Sequence, residues 1–194
     1  MVKKDRSEVK PVHIVSCAFC TAVMAILCAA AGFIMAAIPG LPLGFCPAVP
    51  IMVPFALWFG GWGVIAAYVG CAIGGVAKGI PVAITLPWVI NDIFMAGVPL
   101  VAFRYLKANP ELKTKRDWLI FVAFGMMINS FFACTWGTMI PVYFGVWPAK
   151  AVPVIWAQYI LMSLILIGVI TPPILKTLTK HAKKTGAYTE GIFA

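Results

Sequence analysis

Residues 12–38 read VHIVSCAFCTAVMAILCAAAGFIMAAI, a run of 27 residues without an acid, a lysine or an arginine. About 20 apolar residues are enough to cross the hydrocarbon core of a bilayer as a helix. Within the run Ala18, Ala22, Ala25, Ala29, Gly32 and Ala36 recur at alternating spacings of four and three. On a helix that spacing draws one continuous stripe of small side chains. Lipid supplies no hydrophobic force between helices, so association depends on close backbone approach, which small residues permit. Two readings of the stripe stay open at this point. It packs inside the chain's own bundle, or Ala18, Ala22, Ala25 and Ala29 form a docking face for a separate membrane subunit.

The rest of the composition follows the same line. Of 194 residues, 62% are hydrophobic and only 11% charged, and the mean hydropathy is +0.99. A water-soluble domain of this length must turn much of its chain to solvent, and this chain has too few polar residues to do so. The expectation is an all-α, polytopic membrane bundle of six transmembrane helices. No small-x-small cleavage pattern closes the first segment at Ile38-Pro39-Gly40, so it is expected to stay as the first membrane helix. Six cysteines stand at 17, 20, 28, 46, 71 and 134, nearly all in apolar segments. Cys17 and Cys20 form a C-x-x-C without further ligands around it, so the cysteines read as small, buried side chains and no metal site is expected. His13 and His181 are too far apart to change that.

In chain order, residues 1–11 form a basic tail and the membrane domain covers 12–175. A loop at 39–46 folds onto one membrane face. Prolines at 42, 47, 50 and 54 make the second span, about 47–60, short and proline-kinked. Span 3 covers about 62–77, span 4 about 81–104, span 5 about 118–143 and span 6 about 152–175, followed by a basic tail, 176–194. Asp117 is a candidate helix cap. Basic residues accumulate on the cytoplasmic side of short loops. With six spans, the N-terminal tail, the loop between spans 4 and 5 and the C-terminal tail hold four, five and four of them. Thirteen of 15 Lys and Arg then lie inside, leaving Lys78 and Lys150 outside. The expected topology is therefore multi-pass in the cell membrane with both termini cytoplasmic. The net charge of +9 serves orientation in the lipid bilayer, and no nucleic acid is expected as partner.

Asp92 is the one carboxylate inside an expected span, and an ionisable residue at that depth points to a partner or a function. Trp88 lies one turn away on the same face and Asn91 is adjacent. In span 5 Asn129 falls near the level of Asp92, with Trp136 two turns on; span 6 brings Gln158 into its outer half. Apolar walls with a few donors and acceptors suit a small ligand. The candidate ligand-binding set is Asp92, Asn91, Trp88, Asn129, Trp136 and Gln158. No nucleophile–base pair, paired carboxylates or phosphate-cradling glycine motif is present, so neither an enzyme nor a resident cofactor is expected.

Six spans in about 190 residues, cytoplasmic ends and the A-x-x-x-A of Ala18–Ala22, repeated at Ala25–Ala29, resemble the substrate-binding S-components of energy-coupling factor (ECF) transporters. The resemblance covers the whole chain at the level of layout. It implies uptake of a small micronutrient, a vitamin-like solute, held in the outer half under the loop after helix 1. It also implies docking through helix 1 on a transmembrane coupling subunit driven by two ATPases. The family's ligand residues vary with substrate, so none is carried over. Its cobalt and nickel branch has a histidine after the initiator methionine, where this chain has Val2, which speaks against metal uptake. A structural or anchor subunit of a larger membrane complex, or a membrane sensory domain, are the alternatives.

Overall fold

The computed structural model describes residues 11–38, 40–41 and 43–193, and every regular element among them is a helix. The expected basic tail over 1–10, with Pro39 and Pro42 of the expected loop, lies outside the described residues. Eight α-helices follow one another: α1 (Pro11–Ala37), α2 (Val49–Phe59), α3 (Gly61–Ala77), α4 (Val82–Trp88), α5 (Ile90–Tyr105), α6 (Lys115–Ile120), α7 (Asn129–Tyr143) and α8 (Val152–Ala182). A π-helical segment, Phe121–Ile128, joins α6 to α7. Four stretches are long and apolar enough to cross a membrane: Pro11–Ala37, Val82–Tyr105, Lys115–Tyr143 and Ala149–Thr185. The remaining apolar helices, α2 and α3, are shorter.

The middle of the bundle is α2. Nine of its 11 residues are buried, from Val49 through Trp58, as befits a helix that is apolar all round. Pro50 sits in its first turn, where the missing N–H costs nothing, and Pro54 lies inside it. Gly60 ends the helix at φ +61, and a Cβ there would lie 2.4 Å from the carbonyl oxygen of Ile192. At 1.5 Å per residue, α2 rises about 16 Å, roughly half of a hydrocarbon core. That shortness leaves room at one end of the bundle.

The small-residue stripe of α1 divides. A Cβ on Gly70 would sit 2.5 Å from Met24 Cβ, and one on Gly74 would sit 2.8 Å from the Ala25 carbonyl oxygen and 3.1 Å from Ala29 N. Ala25 and Ala29 therefore help form a close α1–α3 seam. Ala18, Ala22 and Ala36 are exposed, among large apolar side chains such as Phe19 and Ile26 that also face outward.

Two boundaries differ from expectation for physical reasons. The fourth span breaks at Val89, just after Pro87, which cannot donate to the preceding turn. The last helix runs on to Ala182 instead of ending near 175, and residues beyond it fold back. Thr171, Leu175, Thr179 and Ala182 are buried at helical spacing while Lys176 and Lys180 stay outside. A polar face, not a helix end, is what those lysines mark. At this end Trp58 Nε1 donates to Thr179 Oγ1 at 2.9 Å, and Thr189 N donates to the Trp58 carbonyl at 2.9 Å. The Arg104 guanidinium donates to the Leu57 carbonyl at 2.8 Å and also to that of Thr189.

The connection from α5 to α6 is polar and tightly wired. Asp117 accepts from Asn109 N and Thr114 N, both at 2.9 Å, and Thr114 Oγ1 accepts from Asp117 N at 3.1 Å. This is a reciprocal capping box with Thr114 as the N-cap and Asp117 at the third helical position, so Asp117 takes part in the cap from inside the first turn and does not occupy the cap position expected of it. Glu111 pairs with Lys113 at 2.9 Å and Lys183 at 3.0 Å, and those hydrogen bonds hold its carboxyl below the usual glutamate value.

Candidate functional site

Because α2 begins only at Val49, the chain before it is irregular where its neighbours are helical. Irregular backbone survives in an apolar setting only where protein covers it or a cavity lies beside it. Both conditions hold here. The described part of the segment is tethered to α8: Leu43 N donates to Gln158 Oε1 at 3.3 Å, and a Cβ on Gly44, which has φ +91, would meet Tyr159 Cα at 3.0 Å. Under residues 43–46 lies a cavity of about 350 Å³. Its walls come from the C-terminal parts of α1 and α3, the first turns of α2, both sides of the Val89 break, the middle of α7 and the start of α8.

Three of the six expected ligand-binding residues meet there. Trp88, Asn91 and Asp92 all line the cavity. Asp92 is only 8% exposed, and thiols of Cys28 and Cys71 face it. Trp88 Nε1 and Asn91 Oδ1 are buried without a hydrogen-bond partner, a condition that costs on the order of 1–3 kcal/mol per group; these polar ends lie towards α7, where a Cβ on Gly137 would stand 2.8 Å from Asn91 Nδ2 and 3.5 Å from Trp88 Nε1.

The other three stand outside the cavity wall, each with a structural bond. Asn129 is fully buried and donates from Nδ2 to the Met95 carbonyl at 3.2 Å. Trp136 donates from Nε1 at 2.7 Å to the carbonyl of Pro87, beside the Val89 break. Gln158 holds Leu43, as above, so it acts on the segment over the cavity and not on its contents.

Several cavity residues carry no sequence signal for a site. Lys78 marks a helix end in the sequence, yet it lines the cavity and its Nζ donates to Cys28 Sγ at 3.5 Å. Its aliphatic stem crosses α1 at Gly32, where a Cβ would stand 2.8 Å from Lys78 Cδ. That glycine of the small stripe thus makes the passage for a lysine. Cys28, Cys46 and Cys71 line the same space, and the Cys28 thiol interacts with both of the others. Among the described residues no group of three or more His, Cys, Asp or Glu is arranged to hold a metal ion. Trp147 also faces the cavity; it packs edge-on to Trp88 at 6.1 Å and to Tyr159 at 5.9 Å.

Fold and site together define an all-α chain, with four helices of membrane-crossing length, around a mostly apolar cavity with a few polar groups. No family model matches the chain, and neither does any curated protein or solved structure.

Proposed function

We propose that this chain is the solute-binding membrane subunit of an ECF-type uptake system, taking a small, vitamin-like solute from the extracytoplasmic side. On this reading α1, α2, α3, α4–α5, α6–α7 and α8 are six passes, the short α2 being completed by residues 43–48. Both termini are then cytoplasmic. The distribution of cations supports that orientation: Lys78 and Lys150 stand at the cavity end, while Arg104, Lys107, Lys113, Lys115, Arg116 and the lysines after Leu175 stand at the other. Positive charge gathers on the cytoplasmic side, which turns the cavity outward. The exposed Ala18 and Ala22 of α1 supply the face that docks on a transmembrane coupling subunit, itself driven by ATPases.

The observation that carries this reading is the cavity beside Asp92, with Trp88 and Asn91 also in its wall. The test is native mass spectrometry of the full chain purified in mild detergent. Wild type is expected to carry a small solute that Asp92→Asn and Asn91→Ala lose while staying folded. Equal masses in wild type and both variants would remove the site.

A further inference from the structure

Lys78 and Asp92 line one cavity yet do not pair. Among the described residues the ion pairs within 4.0 Å all involve Glu111. The two charges come from different elements, the end of α3 and the first turn of α5, so the fold brings them to the same space independently. Asp92 is more than nine-tenths buried, and Lys78 acts on it only from beyond ion-pair distance; a buried charge with no counter-charge in contact is costly to hold. Lys78 spends its ammonium on a thiol, a weak acceptor. A cavity built for a neutral apolar solute has no use for either group. One built for an anion or a cation has use for one and carries the other at a loss.

We propose that the occupant of this cavity is a zwitterion of amino-acid type, its ammonium at Asp92 and its carboxylate at Lys78. The inference rests on the reading of the cavity as a solute site and names the class of solute. Charge accounting supports it: the cavity's own pair sums to zero, so a dipolar guest leaves no charge uncompensated between mostly apolar walls. A guest with one charge leaves the buried Asp92 or the half-buried Lys78 without a partner in contact. The remaining wall is suited to an apolar side chain, with Trp88, Trp147 and Tyr159 edge to edge and the thioethers of Met35, Met52 and Met95 around them. A volume of about 350 Å³ stands near the lower end of the roughly 300–1,000 Å³ typical of ligand sites, as a solute of this size requires.

The test uses the full chain in detergent and matched probes: L-tryptophan, L-phenylalanine, L-methionine and L-leucine. Against the first two stand their decarboxylated forms, tryptamine and phenethylamine, and their deaminated forms, indole-3-propionate and 3-phenylpropionate. Calorimetry and thermal shift are expected to find an aromatic amino acid binding about 10–100-fold more tightly than either of its one-charge forms. Asp92→Asn is expected to weaken the amino acid and the amine by a similar factor while sparing the acid. Lys78→Met should weaken the amino acid and the acid while sparing the amine. An amine or acid that binds wild type as well as its parent amino acid overturns the proposal, as does failure of every amino acid at millimolar concentration. The wild-type series needs no variant, so the question is decided even where Asp92→Asn does not fold. A non-zwitterionic solute that co-purifies with wild type and not with Asn91→Ala overturns this proposal alone and leaves the solute site standing. Absence of any solute from wild type, with no probe bound, removes both.

Discussion

Replacing Gly74 by alanine adds one methyl group to the seam between α1 and α3. The new Cβ would stand 2.7 Å from Cys28 Cβ, 2.8 Å from the Ala25 carbonyl oxygen and 3.1 Å from Ala29 N. Non-bonded carbons rest at about 3.5–4.0 Å, so the two helices must part by about 1 Å. No side chain can rotate to relieve this, because the neighbours are backbone atoms and a Cβ. Overpacking of this kind costs about 1–3 kcal/mol, against roughly 0.5–1 kcal/mol that alanine contributes within a helix. For a chain of this size each kcal/mol moves the melting temperature by about 2–4 °C. The internal control is Gly97→Ala in α5, where nothing lies within 4 Å of the added Cβ and the helix gain stands alone. Thermal unfolding in detergent, followed with a thiol-reactive fluorophore, suits a chain whose Cys20, Cys28, Cys71 and Cys134 are free and buried. Gly74→Ala is expected to melt several degrees below wild type and Gly97→Ala at or above it. Equal melting of the two variants would refute the seam. Cys28 also lines the cavity, so the same parting of helices is expected to weaken solute binding.

Three further outcomes follow from the polar end of the molecule and its orientation. Glu111, whose folded-state carboxyl titrates below its ordinary value, stabilises the fold above the unfolded value of about 4.3 and loses that contribution as pH falls through the folded one. Glu111→Gln should flatten the acid limb of a stability-versus-pH curve, and an unchanged limb would assign it elsewhere. Thr114→Ala removes the hydroxyl that caps Asp117 N and should cost about 0.5–2 kcal/mol in chemical unfolding, whereas Thr114→Ser should restore most of it. Membrane-impermeant maleimide on intact cells should label Lys150→Cys and reach Lys115→Cys only after permeabilisation, both in a background without exposed native thiols. The reverse pattern would invert the proposed topology.

Much of this architecture is legible in the residues themselves. Long apolar runs interrupted by proline, glycine and charge mark helices of membrane length, because lipid offers a backbone no other hydrogen-bond partner. Asp92, Asn91 and Trp88 could be picked out for the same reason: a polar group at that depth is expensive and stands out against its neighbours. The end of α8 was hidden because Lys176 and Lys180 resemble a tail in composition, while the burial of Leu175, Thr179 and Ala182 is a matter of helical phase.

Tertiary structure alone decided what shares a space. Lys78 and Asp92 are 14 positions apart on separate helices, and only the packing of α3 against α1 and α5 turns both into one cavity. Asn129 and Trp136 look equally suited to a ligand by type and depth, yet the carbonyls of Met95 and Pro87 engage them. Composition and periodicity report how deep a side chain lies along its own helix. Which groups converge is set by the rotation and separation of neighbouring helices, and those depend on contacts such as Gly74 against Ala25 that no single segment contains.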